Sequence, residues 1–349
     1  MERDLLKPTL LIDEQKCKRN IQLMADKAKK HQVELRPHFK THQSLEVGRW
    51  FKEYGVSKIT VSSVSMAEYF APEWNDITIA FPVNTLEIDQ INELARKVKL
   101  NVLVENKESA QFLSDNLLHS LNVFLKIDTG YHRTGIDPNN TVLIDSILAI
   151  IKGSDKMAFA GLLAHAGHTY QCRNKEEIIT IHKESLNIMN GLKAEYKDQF
   201  PDLITSLGDT PSCSVAENFE GLDEMRPGNF VYYDLMQHQI GSCDIDQIAV
   251  GVSCPIVAIH ENRSEIVIYG GGVHFSKDRI EENGQAVFGR IAEKTKNGWS
   301  SLIEDAYVKS LSQEHGIVKM PARELSKFQV GDTLIVLPVH SCMTVDLMG

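Results

Sequence analysis

DITIAFPVNTLEIDQINELARKVKLNVLVE, residues 76–105, holds the pattern on which the fold turns. Its ends, DITIAF (76–81) and NVLVE (101–105), are short β-rich runs. Between them TLEIDQINELARKV carries apolar residues at helical spacing. Strand, helix, strand is the unit from which parallel α/β sheets are built.

The same alternation runs outward in both directions. Upstream, KPTLLID leads into a helix-like stretch from Glu14 to about Lys30. VELR (33–36) and KITVSS (58–63) are strand candidates, and SMAEYF after the latter has helical character. Downstream, NVFLKID (122–128) and FAGLLAH (159–165) are strands, and a long helix spans Lys175 to Tyr196. LITSLG (203–208) and LDEMRPG (222–228) complete the series. Eight strands at roughly even spacing, with helices between them, favour an α/β chain with a (β/α)8 TIM barrel over a doubly wound open sheet. Beyond about Gln237 the pattern changes: IAVGVSCPIVAIH, SEIVIYGG, HGIVKM and DTLIVLPVH are β-rich, with turn signals between them and little helix. The expected organisation is a barrel over 14–236 and a β domain from 1–13 and 237–349, with KPTLLID returning to join the C-terminal strands.

Composition narrows the function classes. Of 349 residues 42% are apolar and 24% charged, ordinary for a globular protein that buries a core without staples. A net charge of −10 argues against non-specific nucleic-acid binding, which needs a basic face, and leaves room for a local basic pocket. Six scattered cysteines with no CxxC pair suit a reducing compartment. MERDLLKPTLLID is charged early and lacks the apolar stretch of a secretory leader, and no run is long enough to span a membrane. The expectation is a cytoplasmic protein.

Barrel enzymes carry their chemistry at the C-terminal ends of the strands. VELR runs into PHFKTH, which places Lys40 just past the first strand, with Arg36, His38 and His42 beside it. The fifth strand ends in DTGYHRTG, with Asp128 and Arg133; the sixth runs into AHAGHTY, with His165, His168 and Tyr170. The seventh leads to GDTPS (208–212) and the eighth to RPGN (226–229), the two loops where barrels often bind phosphate. Both consist of turn residues, so either alone reads as turn chemistry. Together and in register they read as an anion cradle. A phosphate cradle beside a strand-end lysine points to a phosphorylated aldehyde held as a Schiff base, with pyridoxal 5′-phosphate (PLP) the obvious candidate.

RPHFKTH, KIDTGYHRTG, AHAGHTY, GDTPS, EMRPGNFVYYD, SQEHG and PVHSC together resemble the fold-type III PLP enzymes, which share an alanine-racemase-like barrel followed by a β domain. Within them the resemblance is to the D-serine dehydratase and D-threonine aldolase group. It implies that Lys40 carries PLP and, once freed, takes the α-proton. It implies that His165 packs near the cofactor ring, that Tyr170 stands close to cofactor and substrate, and that Arg226 contacts the pyridine nitrogen. Ser206, Gly208, Asp209, Thr210, Gly228 and Asn229 would surround the phosphate, and His340 and Cys342 of PVHSC would bind zinc or another divalent metal. On a strand, H-x-C puts both side chains on one face, and two protein ligands leave positions open for water and substrate. Relatives of the aldolase type carry an aspartate with a harder metal at the second position, whereas a thiolate favours zinc and the dehydratase. THQ, with Gln43, departs from the group's THK. YGGGVHFSKD (269–278), with His274, and SQEHG, with Glu314 and His315, supply further candidates to face the substrate.

The implied function is a PLP- and zinc-dependent lyase that removes water from a D-β-hydroxy-amino acid, D-serine yielding pyruvate and ammonia. The alternatives are retro-aldol cleavage of a D-threonine-type substrate to glycine and an aldehyde, a racemase with a second base on the opposite face of the cofactor, and a PLP carrier without catalysis. The long segment after the barrel argues against the last. A homodimer is expected by analogy with the fold.

Overall fold

The structure, a computed structural model, describes residues 5–296 and 298–349. Residues 1–4 of the expected N-terminal β segment lie outside the described residues. The chain divides into two compact units. One is Ile21–Gly228, and the other combines the chain up to Asn20 with Asn229–Gly349.

Strand β1 (Thr9–Ile12) belongs to the second unit; the next eight form the first. They are β2 (Glu34–Leu35), β3 (Ile59–Val61), β4 (Asp76–Pro82), β5 (Lys99–Val104), β6 (Leu121–Ile127), β7 (Met157–Ala164), β8 (Ile204–Leu207) and β9 (Glu224–Met225). All pairings are parallel, in the order β2-β9-β8-β7-β6-β5-β4-β3. The sheet curls until its two edges meet at the parallel bridge His38–Thr60, where Thr60 N donates to Pro37 O at 2.9 Å. This is the (β/α)8 barrel expected from the strand count, and residues 76–105 supply β4, the helix Ile88–Lys97 and β5.

Helices follow strands because the turn at the strand end supplies a cap. Ser44, Ser63, Asn106, Asn140 and Asn174 each accept a hydrogen bond from a backbone N–H of the first turn that follows. In Lys175–Tyr196 the residues Ile178, His182, Leu186, Met189, Leu192 and Tyr196 form one buried stripe at three- and four-residue spacing.

Inside the barrel, side chains follow the two-residue period of a strand. Leu103, Phe124 and Leu163 make an apolar layer. Two residues earlier on β5 and β6, Asn122 donates to Asn101 at 2.9 Å, and Asn101 donates to Asp76 at 2.9 Å. Asp76 pairs with Arg36 at 2.6 Å, and Arg36 forks onto Glu224. Two residues beyond Phe124 and Leu163 stand Lys126 and His165, on the mouth side of the layer. An apolar layer thus separates an ionic floor from the strand ends where the candidate residues lie.

The second unit continues with β10 (Val250–His260), β11 (Glu265–Tyr269), β12 (Ile280–Glu282), β13 (Gln285–Val287), β14 (Gly289–Thr295), β15 (Gly298–Leu311), β16 (His315–Lys319) and β17 (Thr333–Pro338). β12 and β13 pair as a separate hairpin. The rest form an antiparallel sheet in the order β1-β10-β11-β16-β15-β14-β17, closed into a barrel by β10 pairing with β17. β1 lies antiparallel to β10, with Thr9 opposite Ser253. The core includes Val252, Ile268, Ile291, Val308, Val318 and Val336. Among the described residues no helix is long and apolar enough to cross a membrane.

Candidate active site

The first unit brings most of the candidate residues to the mouth of the barrel. Lys40 sits in a single 3-10 turn, Phe39–Thr41, capped by His38, whose Nδ1 accepts from the Lys40 N–H at 3.3 Å. Phe39 pins the turn: its ring centroid lies 5.0 Å from those of Phe51, Phe70 and Trp74 and 4.4 Å from that of His42. Gln43 closes the turn in the left-handed region, at φ 46°, with its N–H bonded to Phe39 O at 3.0 Å. Phe39 and Thr41 are buried while Lys40 between them is exposed. A short turn with buried flanks holds one amine in solvent on a rigid base.

The loops after β8 and β9 pack against this turn. A Cβ on Gly208 would stand 2.3 Å from Arg226 N, and one on Gly228 would stand 2.9 Å from His38 O, so close approach requires glycine at both. Asp209 caps the helix Thr210–Val215, its carboxylate accepting from Ser212 N and Thr169 Oγ1, each at 2.8 Å. Burial raises its pKa, opposed by these donors. Thr210 Oγ1 accepts from Gly228 N at 3.2 Å, and Thr210 N donates to Tyr170 Oη at 3.4 Å. His165 Nδ1 lies 2.8 Å from Gly208 O. A carbonyl can only accept, so Nδ1 carries the proton and the neutral ring keeps its lone pair on Nε2. Lys40, His165, Tyr170, Gly208, Asp209, Thr210 and Gly228 therefore belong to one contiguous cluster. Arg226 donates to Ser206 Oγ at 2.5 Å and to Ala164 O, and Ser206 Oγ donates to Glu224 at 3.0 Å. The Ser206 hydroxyl is thus engaged by Glu224 and Arg226.

Burial and neighbouring cations set the protonation states. Burial lowers the His165 pKa to about 3; the bond to Gly208 opposes this, and Lys40, Lys126 and Arg133 add to it. His38 is lowered well below the usual imidazole range by burial, then by Lys40 and Arg226. Burial brings Arg226 down to about 10. Lys126, which motif reading passes over, is brought down to about 7 by burial and then by Arg226 and Arg133. Two neutral histidines and four basic side chains (Lys40, Lys126, Arg133 and Arg226) give this mouth the character of an anion site. That fits a phosphorylated cofactor.

Asn229, His340 and Cys342 fall in the second unit, and one correction is needed there. β17 ends at Pro338; His340 is the N-cap of the helix Ser341–Met348, and Cys342 lies in its first turn. The pair does not share a strand face. The helix starts here because Asp234 Oδ2 captures Ser341 N at 2.9 Å and Ser341 Oγ at 3.2 Å. Asn229 Nδ2 donates to Asp234 at 2.7 Å and to Ser341 Oγ at 2.9 Å, and reaches Cys342 Sγ at 3.6 Å. Cys342 also hydrogen-bonds His340.

His340 Nδ1 lies 2.8 Å from Asp278 Oδ2, a partner that no motif pointed to. Burial opposes charge on His340, but the bonds to Asp278 and Cys342 raise its pKa to about 10. Among the described residues no group of three or more His, Cys, Asp or Glu side chains is arranged to hold a metal ion. The donors are an imidazole whose Nδ1 is held by Asp278 and a thiol hydrogen-bonded to the same ring, so a metal ion would bind Nε2 and sulfur by displacing their protons. That nitrogen–sulfur set fits a borderline-soft ion that keeps water or substrate in its other positions. His274 Nδ1 accepts from Gly271 N at 3.1 Å, Glu314 O accepts from Gly270 N at 2.9 Å, and His315 pairs with Tyr269 across β16 and β11.

Comparison with known proteins identifies the family. Residues 12–235 match the family described as alanine racemase, N-terminal domain, and residues 249–349 match a serine dehydratase domain. The chain is 28% identical over 362 residues to a D-serine dehydratase of Dictyostelium discoideum, covering 97% of this chain and 90% of that one. It is 27% identical over 348 residues to a D-threo-3-hydroxyaspartate dehydratase of Delftia sp. (strain HT23), covering 97% and 91%. The solved structure of the Delftia sp. HT23 dehydratase superposes with a TM-score of 0.90 at 26% identity, over 98% of this chain and 93% of that one.

Proposed function

This chain belongs to the alanine racemase N-terminal-domain family, and on that premise we propose that it is a PLP- and zinc-dependent lyase that removes water from a D-β-hydroxy-amino acid, most simply D-serine. The observation that carries the reading is the barrel mouth, where an exposed lysine on a pinned turn stands among neutral histidines and further cations. Two of the dehydratases that align with 97% of the chain support the reaction class.

When bound, PLP supplies an electron sink, and the metal a Lewis acid that eases departure of hydroxide, a poor leaving group. The chain's own side chains do the rest. Lys40 holds the cofactor through its amine and, once freed, takes the proton from the substrate Cα. Gly208, Asp209, Thr210 and Gly228 would surround the phosphate at the packed loops after β8 and β9. His165, kept neutral, borders the ring without adding charge. Arg226, fixed by Ser206 and the Ala164 carbonyl, is assigned to the pyridine nitrogen. Tyr170, tied to Thr210, borders cofactor and substrate. His340 and Cys342 would hold the metal, whose Lewis acidity would ease loss of the β-hydroxyl. Loss of one Cα proton and the β-hydroxyl amounts to water; hydrolysis of the resulting enamine gives pyruvate and ammonia from D-serine.

Product analysis with D-threonine, with and without a chelator, tests the reading. 2-Oxobutanoate and ammonia that disappear on chelation are expected. Glycine and acetaldehyde would replace the dehydratase with an aldolase and overturn the inference from Cys342.

A further inference from the structure

We propose that Asp278 is the positioning residue of the metal site: it fixes the ring of His340 so that Nε2 is presented to the ion. This rests on the metal reading above. The central observation is the 2.8 Å contact between Asp278 Oδ2 and His340 Nδ1. An imidazole that donates its other N–H to a carboxylate has its tautomer and orientation fixed and becomes a better metal donor.

The surrounding segment is built to hold that carboxylate in place. Ser276, two residues before Asp278, has φ 63° and ψ −166°, a region almost reserved for glycine, and such strain persists only where neighbouring structure imposes it. Its Oγ accepts from Asp278 N at 3.1 Å. Upstream, the run Gly270–Gly272 lies flat against the turn that carries SQEHG. Gly270 N donates to Glu314 O at 2.9 Å, Gly272 N to Ser312 O at 2.7 Å and Val273 N to Gln313 O at 3.2 Å. A Cβ on Gly271 would stand 2.3 Å from Gln313 O. Phe275, buried, anchors the far end. YGGGVHFSKD and SQEHG, which the reaction scheme leaves without a role, thus cooperate to place one carboxylate. His274 stays within its own loop.

The test uses the full chain loaded with PLP. Asp278→Asn keeps the size and removes the charge; Asp278→Glu keeps the charge. The readouts are the zinc dissociation constant, by competition with a chromophoric chelator, and the visible spectrum of the cobalt(II)-loaded protein. Cofactor absorbance and the melting temperature of the metal-free protein are the controls. Asp278→Asn is expected to weaken zinc by about 10–100-fold and to alter the cobalt spectrum with both controls unchanged, and Asp278→Glu to recover part of the affinity. Unchanged zinc affinity in Asp278→Asn, while His340→Ala loses zinc, would overturn the role of Asp278 alone. A fall in zinc affinity matched by a fall in metal-free melting temperature would make Asp278 a structural residue and also overturn it. Zinc binding untouched by His340→Ala would defeat the metal reading itself, and the role of Asp278 with it.

Discussion

Arg36 and Glu224 meet in the floor of the barrel, with Arg36 Nη2 2.8 Å and Nε 3.0 Å from Glu224 Oε1, and each side chain is almost wholly buried. Arg36 Nη1 holds Asp76 at 2.6 Å on its other side. Removing one partner leaves a desolvated charge without compensation, so Glu224→Leu is expected to cost about 3–5 kcal/mol. Guanidinium unfolding of the cofactor-free protein measures it, and a loss below 1 kcal/mol would show that the floor relaxes around the exposed cation.

Lys40 is exposed, and its turn is held by Phe39 rather than by its own side chain. Lys40→Ala should therefore leave the melting temperature of the cofactor-free protein intact, abolish the cofactor's bound absorbance and lower turnover by on the order of 10³-fold or more. Retained absorbance and activity would remove Lys40 from the reaction.

His42 is buried against Phe39 and Phe51, and burial lowers its pKa to about 3. In the unfolded chain it titrates near 6.5. Between these values the unfolded state binds one more proton, so the stability provided by the neutral ring is present above pH 6.5 and lost as pH falls towards 3. His165 behaves alike. Each contributes a slope of about 1.4 kcal/mol per pH unit. Urea titrations at several pH values between 4.5 and 6.5 should show His42→Leu flattening the wild-type slope by that amount.

Lys126 goes through the same charge cycle as His42 and His165, at higher pH. Its folded pKa is about 7 against 10.5 unfolded, so it burdens the fold fully below pH 7, and the burden fades as pH rises towards 10.5. Lys126→Met in the cofactor-free protein is expected to gain stability relative to wild type at pH 6.5 and to lose that advantage by pH 9.5. A difference independent of pH, read from chemical unfolding, would contradict the assignment.

At Gly271 the SQEHG turn leaves no room for a side chain. Gly271→Ala is expected to cost about 1–3 kcal/mol through overpacking and to weaken zinc binding through displacement of Asp278. Differential scanning calorimetry and chelator competition check the two halves separately.

The barrel was legible because its strands are compact apolar runs bounded by turn residues, and because Ser and Asn caps mark where helices resume. The mouth was legible because Gly208 and Gly228 stand where backbones nearly touch. In the second unit, β12 to β15 escaped. Bulges between Arg290, Ala292 and Lys294, and the left-handed Asp305 at φ 59°, break the alternation that marks a strand. PVHSC reads as a continuation of β17 until Asp234, distant in sequence, captures Ser341 N and starts a helix; no local pattern announces such a contact. Asp278 was hidden for the same reason. Lys126 was not hidden: a lysine within an otherwise apolar strand is itself a signal.

β1 pairs with β10, so its partner is made only after all of Ile21–Gly228. At ribosomal speeds of about 5–20 residues per second, Thr9–Ile12 waits on the order of tens of seconds before Val250–Ser253 exists. The inserted barrel can finish folding in that interval while the apolar leading strand stays unpaired, in need of a chaperone or at risk from any other exposed edge. Moving residues up to Asn20 to the far terminus by circular permutation would remove that wait, and the yield of soluble protein would report how much of the cell's folding effort it had consumed.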